Sequence, residues 1–463
     1  MKYNPYPYQQ TATQWIIDHP RCALFLDMGL GKTVSTLTAM QKLIDFCEVE
    51  RVLVVAPKKV AETTWSTEAQ KWEHLRGLRV VKVLGSERQR CMALDQKADI
   101  YVTGRDNFAW LVARYGGRLP FDAIVIDELT SFKSPTSQRF KAMRLASASA
   151  ARVVGLTGTP APNGLADLWA QLYCIDQGER LGRSVSRFRE AYFTGQKMGH
   201  ITIRLTPRPG AEKAIRSRVA DICLSMQARD YLSLPDLITH TERVELSPRV
   251  RKLYAEFERE KVLEFQRAHA TDPTRVMAAN AAALMNKLSQ MAGGAVYDEA
   301  GGVQEVHSEK LDRLAEIIES AAGQSVLVFY QYKHEVPRIV DRLKRYNKNC
   351  EVRCYKGEPD LIDWNAGRID VLLAHPASTA FGLNMQQGGH YIVWLGTGWN
   401  LELYQQANAR LHRQGQRHPV TVYRLLCADT VDERAALAIE DKRGVQQGLL
   451  DGLNYLLQKH GAN

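Results

Sequence analysis

The sequence predicts an α/β protein built on parallel sheets. Three observations carry that expectation. Short apolar, β-branched runs alternate with helical patterns through the N-terminal part, the order that builds parallel sheets layered by helices. The run RVLVVA, Arg51 to Ala56, is apolar almost throughout, as in a strand covered on both faces. A glycine turn in LDMGLGKT, Leu26 to Thr33, joins one such run directly to a helical pattern.

That turn comes first in the chain. Ala23-Leu24-Phe25-Leu26 reads as a buried strand, and a helical pattern runs from Lys32 to Phe46. Gly29 and Gly31 let the backbone bend and expose its N–H groups, and the helix start adds positive potential. Lys32 would reach the outer phosphates of a nucleotide, and the Thr33 hydroxyl would sit on Mg²⁺. The strict phosphate-loop pattern wants glycine where Leu26 stands. The plainer reading is a Gly-Lys-Thr tripeptide at an ordinary strand-to-helix turn.

The 463 residues predict two or three domains. With 45% apolar and 24% charged residues, the chain can build large cores. No apolar run is long enough to cross a bilayer, and MKYNPYPYQQTATQW has no signal-peptide pattern. The eight cysteines are scattered without a C-x-x-C pair and read as reduced packing residues, Cys350 and Cys354 included. This predicts a cytoplasmic protein with no membrane association. The net charge of +10 favours a polyanionic partner, nucleic acid first.

Gln9, about twenty residues before the phosphate loop, carries both a donor and an acceptor and suits an adenine edge. A polar turn packing Tyr8 on the first helix explains it equally. Lys58 and Lys59 follow the Arg51–Ala56 strand at its C-terminal end, where open α/β sheets place ligands. A helix bearing Trp65 and Trp72 comes next, then strands at Arg79–Val83, Asp99–Thr103 and Asp122–Ile126. The last ends in Asp127-Glu128. A phosphate-loop ATPase needs such a pair, Asp127 for the metal and Glu128 to orient and deprotonate the attacking water. A solvated strand end is the alternative. Arg152 to Leu156 is another strand, ended by Thr157-Gly158-Thr159-Pro160, which reads as a turn or as a γ-phosphate sensor. Together these pieces describe one RecA-like lobe.

The second half supplies strands at Ser325–Tyr330, Ile369–Ala374 and Tyr391–Leu395, then Trp399-Asn400 and QANARLHRQGQ from Gln406 to Gln416. This order resembles the SWI/SNF-type ATPases of helicase superfamily two, over nearly the whole chain. The segment with Arg410 and Arg413 is similar to that family's motif VI and is the most specific match. Earlier motifs align in order. Pro7-Tyr8-Gln9 is similar to the Q motif, Asp27 to Thr33 to motif I, Ala56 to Val60 to motif Ia, and Tyr101-Val102-Thr103 to motif Ib. Asp127-Glu128 matches motif II, Leu156 to Pro160 with Asn163 motif III, Val326 to Gln331 motif IV, and Ser378 to Asn384 motif V.

The resemblance implies two RecA-like parallel-sheet lobes with helical insertions between them. It implies ATP in the cleft between the lobes, with Gln9, Gly29, Leu30, Gly31, Lys32, Thr33, Gly382 and Gln406 as nucleotide-binding residues. Thr33 and Asp127 are then the Mg²⁺ residues, and Lys32, Glu128, Arg410 and Arg413 the catalytic ones. The arginine pair would neutralise charge developing on the γ-phosphate, an effect worth about 10³–10⁵ in rate. On spacing alone, two arginines three apart read as a solvated helix face. Double-stranded DNA would be gripped through phosphates by Lys58, Lys59 and Thr103 in the first lobe, and by Ser378, Thr379 and Trp399 in the second. A core role for Trp399 fits as well.

Several residues depart from the family pattern. Leu129 and Thr130 follow the motif II carboxylates, where the family has D-E-A-H. Thr379 and Ala380 replace a glycine pair, and Ala409 an aspartate. Leu224-Ser225-Met226-Gln227 lacks a basic pair that nuclear members carry. These point to a compact bacterial or phage-type member, monomeric, in the cytoplasm of a bacterium or an infected host. The expected boundaries are 1–235 for lobe one with a helical protrusion, 236–306 for a helical insertion and linker, and 307–463 for lobe two. The Arg-rich stretch from Gly182 to Arg218 touches phosphates or is a solvated face. The function expected is a DNA-dependent ATPase that translocates on duplex DNA. A strand-separating DNA or RNA helicase is the rival enzyme, and an ATP-gated switch on a protein such as RNA polymerase the rival of another class. A motor for a nuclease or methylase partner is a further reading.

Overall fold

The computed structural model describes the chain except residues 159, 162–163, 199–200, 232–233, 270–276, 380–382, 442–444 and 462–463. Its strands, in chain order, begin with β1 (Arg21–Leu26), β2 (Val52–Ala56), β3 (Val80–Val83), β4 (Ile100–Gly104), β5 (Ala123–Asp127) and β6 (Arg152–Thr157). A two-stranded ribbon follows, β7 (Phe193–Met198) with β8 (Ile201–Pro207), and then β9 (Cys223–Met226). The remainder are β10 (Leu237–Val244), β11 (Ala295–Tyr297), β12 (Val303–Glu305), β13 (Val326–Phe329), β14 (Val352–Cys354), β15 (Val371–Ala374), β16 (Tyr391–Trp394) and β17 (Val420–Cys427).

Two parallel sheets result, as the sequence predicts. The first has the order β3-β4-β2-β5-β6-β1-β9, and the second β10-β17-β16-β13-β15-β14. Internal contacts divide the chain into two units. One is Met1–Lys197 with Thr202–Ser233, and the other is Leu234–Asn463 with Met198–Ile201. Each unit carries one of these two parallel sheets. In the first, β1, β2, β5 and β6 are central and almost wholly buried, which is why their sequences run apolar without alternation. In the second, β13 splits its side chains between two cores by the period of a strand. Val326 and Val328 join Val371, Leu373 and Val393 on one face, while Leu327 and Phe329 join Leu372, Ile392 and Trp394 on the other.

Two core-sheet strands lie where the sequence predicts a helical protrusion and a helical insertion with linker. β9 pairs with β1, Ala23 opposite Cys223 through Leu26 opposite Met226. β10 pairs with β17 over eight residues, so the stretch expected as a separate linker adds a strand to the second sheet. Both lie at sheet edges. β10, LITHTERV, is mostly exposed and polar, and a polar edge strand gives no hydrophobic pattern to read. The turn at Gly293-Gly294 is tightly held. The Arg338 guanidinium donates to the carbonyls of Gly293, Gly294 and His307, and a Cβ at Gly294 would fall 2.2 Å from the His307 carbonyl oxygen. All eight cysteines are free. Among the described residues, no helix is long and apolar enough to cross a membrane.

Candidate active site

Strand order decides what meets at the site. β5, β6 and β1 are neighbours, with Asp127 opposite Leu156 and Phe25 opposite Thr157. Because all three are parallel, Asp127-Glu128, Thr157-Gly158 and the loop Asp27–Gly31 emerge at the same C-terminal edge. The loop turns through Gly29 and Gly31, both with positive φ, and Gly31 starts the helix Lys32–Asp45 with no side-chain cap. The first N–H groups of that helix are the ones an anion would take. Leu30 is fully buried, so only its backbone can face a ligand. Thr33 is half-buried in the first helical turn. Lys32 Nζ lies 2.7 Å from the Leu26 carbonyl oxygen and 3.3 Å from that of Asp27, within its own loop.

Two close approaches tie other motifs to this loop. A Cβ at Gly31 would come 2.4 Å from Gln9 Nε2, so only glycine lets the Gln9 amide rest there. Gln9 is buried, and its Oε1 also accepts from the Tyr6 N–H at 3.0 Å, closing the helix Pro7–Asp18. A Cβ at Gly158 would lie 3.4 Å from the Leu26 carbonyl oxygen and 3.6 Å from Lys32 Nζ.

The two carboxylates are held differently. Asp127 accepts the Trp65 indole N–H on Oδ2 at 2.9 Å. Burial pushes its carboxyl above the usual range, opposed by that hydrogen bond and by the Lys32 charge. Glu128 sits in the left-handed region at φ 60, an unfavourable conformation for a residue with a Cβ. Its Oε1 accepts from both the Thr130 hydroxyl at 2.9 Å and the Thr157 hydroxyl at 3.1 Å. The residues that depart from the motif II pattern thereby acquire a physical account. Thr130 is a donor to Glu128. Leu129 is fully buried and packs on β6 where Gly155 has no side chain, since a Cβ there would meet Leu129 Cδ2 at 2.8 Å.

In the second unit, the helix Leu401–Asn408 ends before both arginines, so a regular solvated helix face does not describe them. Arg410 is buried. Its Nε donates to the Gln406 carbonyl at 2.9 Å and its Nη1 to the Leu383 carbonyl at 3.3 Å. Arg413 Nη1 donates to the same Leu383 carbonyl at 3.0 Å. Motifs V and VI are thus tied through one backbone oxygen. Gln416 completes the tie, donating to the carbonyls of Gln386 and Gly389 at 3.2 and 3.0 Å. The Gln406 side chain is buried and donates to Glu402 Oε1 at 3.2 Å. Gly382 lies outside the described residues, as do Thr159 and Asn163 of motif III.

The sequence matches the SNF2-related domain family over residues 8–292. A protein designated p41, from Acyrthosiphon pisum secondary endosymbiont phage 1, is 36% identical over 97% of this chain and 99% of its own length. The chain belongs to the SNF2-related family. The bovine DNA excision repair protein ERCC-6-like is 25% identical over 88% of this chain, which spans only 38% of that protein. The solved SWI2/SNF2 ATPase core of Sulfolobus solfataricus in complex with double-stranded DNA aligns with 100% of this chain and 96% of its own, at 23% identity and TM-score 0.47. As an SNF2-related protein the chain is an ATP hydrolase of the helicase-like kind.

For this SNF2-related chain, the residues expected to grip DNA divide sharply. Lys58 and Lys59 are exposed just past the C-terminal end of β2. Thr103 and Thr379 are corrections. Both are fully buried, and their hydroxyls donate to the carbonyls of Val83 and Pro376, so neither side chain can meet a phosphate. Ser378 is half-buried, with its hydroxyl on the His375 carbonyl at 2.6 Å. Trp399 packs beside a buried cluster that includes Met285, Leu288 and Leu453. Sequence reasoning assigned no role to Trp65 or Thr130. The signal for Thr130 was the departure from the family pattern; Trp65 gave none, because its helix meets the end of β5 62 residues further along the chain.

Proposed function

We propose that the chain is a DNA-stimulated ATPase that translocates along double-stranded DNA. The observation that carries the hydrolytic half is the fixed Glu128 carboxylate, whose Oε1 is held by Thr130 and Thr157 at the edge where the phosphate loop emerges. A carboxylate in that position orients the attacking water and takes its proton. Lys32 and the helix N–H groups hold the phosphates. Arg413, less buried than Arg410, serves as the finger from the second lobe, and Arg410 fixes the turn that presents it.

Mg²⁺ fits the residues present. Asp127 is half-buried, with one carboxylate oxygen given to Trp65, and a cation offsets the desolvation that opposes its ionised form. Among the described residues, no group of three His, Cys, Asp or Glu is placed to hold a metal. That suits an ion bound by one carboxylate, a hydroxyl, waters and phosphates rather than by a protein cage. When bound through Asp127 and Thr33 it supplies charge neutralisation on the phosphates.

Duplex DNA as activator is supported by the net charge of +10, by exposed Lys58 and Lys59, and by the bovine relative's designation as a DNA repair protein. Displacement of a third strand from a DNA triplex tests translocation. ATP-dependent displacement without separation of the duplex supports it. Duplex unwinding favours a strand-separating helicase, and ATP turnover with neither event favours a switch.

A further inference from the structure

A pocket lies wholly within the second unit. It is an open pocket of about 520 Å³, large enough for a nucleoside. It sits past the C-terminal ends of β13, β15 and β16, the edge at which parallel sheets take ligands. Rings of Tyr332, His375, Trp399 and Tyr404 line it, together with Gln331 and Thr397. No Asp, Glu, Lys or Arg is among the described lining residues. The walls therefore suit a neutral, flat ring with a hydrogen-bonding edge and reject a phosphate.

Two details show a built site. The Thr397 side chain is in a residue only 5% exposed, and among the described residues its hydroxyl has no hydrogen-bond partner. A buried hydroxyl left unmatched costs free energy, and this one belongs to a residue of the pocket wall. Glycines on either side of Thr397 let the Gln331 amide lie along the same turn. A Cβ at Gly396 would come 3.0 Å from Gln331 Oε1, and one at Gly398 2.7 Å from Gln331 Nε2. The Trp399 ring is held in place by the helix Val445–Gly461, where a Cβ at Gly448 or Gly452 would meet it at 3.4 or 3.1 Å.

We propose that this pocket binds a nucleobase, stacked among the aromatic rings and hydrogen-bonded at its edge by Thr397 and Gln331. The base comes from an unpaired position in a DNA strand or from a free nucleoside, and the strand source rests on the DNA reading above.

The protein is titrated, with ADP saturating the phosphate-loop site, against three probes. They are a fully paired duplex, the same duplex with one unpaired 2-aminopurine, and thymidine. Ala282→Phe fills the pocket from its wall. Thr397→Val removes the hydroxyl while keeping the shape. The unpaired base should tighten binding roughly five- to tenfold over the paired duplex and quench the 2-aminopurine. Both variants should reduce that preference while leaving paired-duplex affinity within about twofold. Saturable thymidine binding that Ala282→Phe abolishes, without a preference for the unpaired base, also supports the pocket and assigns it to free nucleosides. Absence of both signals, or a preference that survives Ala282→Phe, overturns it. Failure to bind the paired duplex counts against the DNA reading alone, because the thymidine arm still decides the pocket.

Discussion

The Thr130 hydroxyl donates to Glu128 Oε1 at 2.9 Å, two residues away along the chain, and holds the carboxylate while its backbone sits at φ 60. The residue that breaks the motif II pattern is thus bonded to the group expected to activate water. Thr130→Val removes one of two hydroxyl donors with little change in volume. It should lower kcat about tenfold and leave the KM for ATP within about threefold, a loss typical of one hydrogen bond to a charged group. Steady-state kinetics check it. Unchanged kcat would mean that Thr157 alone suffices.

Glu128→Gln keeps the shape and both hydroxyl neighbours but removes the base. Turnover should fall about 10²–10⁴-fold, with ATP and DNA still bound. Single-turnover hydrolysis and filter binding separate these effects. Retained turnover would remove the base role from Glu128.

Trp65, the first residue of the helix Trp65–Lys71, donates its indole N–H to Asp127. Trp65→Phe should raise the Mg²⁺ concentration for half-maximal turnover about tenfold, since a ligand without its orienting partner binds metal more weakly. A Mg²⁺ titration of ATPase rate measures this. Loss of maximal rate at saturating Mg²⁺ alone would show a packing defect instead.

These residues also mark what the sequence could and could not disclose. β1, β2, β5 and β6 were legible because strands buried on both faces must be apolar throughout. The phosphate loop was legible because the turn itself requires Gly29 and Gly31 at positive φ. β10 was not, since its exposed edge carries polar side chains with no period to detect. Thr103 and Thr379 were misread for a related reason. A hydroxyl beside a ligand edge looks the same in sequence whether it faces out or caps a carbonyl within the core. The pocket around Thr397 was invisible because its residues come from separate strands and helices brought together only by folding.

Stability of the second unit should depend on the buried pair Lys310 and Asp432. Lys310 Nζ lies 2.5 Å from Asp432 Oδ2 and 2.7 Å from the Leu395 carbonyl oxygen, and Lys310 is 2% exposed. Lys310→Ala leaves a buried carboxylate without its cation and should cost about 3–5 kcal/mol. Urea denaturation measures it. A loss under about 1 kcal/mol would show that water compensates the aspartate.

His334 predicts an acid sensitivity of the same unit. Burial, aided by the Arg338 charge, pulls its value down from 6.5 to about 4. The fold prefers the neutral ring, so its contribution is complete above the unfolded value of 6.5 and is lost as pH falls towards 4. His307 shifts in the same direction, again chiefly through burial. The denaturation midpoint should fall between pH 7 and 5, and His334→Gln should flatten that fall. An identical slope in the variant would assign the sensitivity to other groups.

The most direct test of the account is ATP turnover measured without nucleic acid and with duplex DNA, single-stranded DNA or RNA, using Glu128→Gln as the blank. The account predicts strong stimulation by duplex DNA, weakening as salt rises because the contacts are to phosphates. Stimulation by single strands or RNA in preference to duplex, or by none of the three, would contradict it.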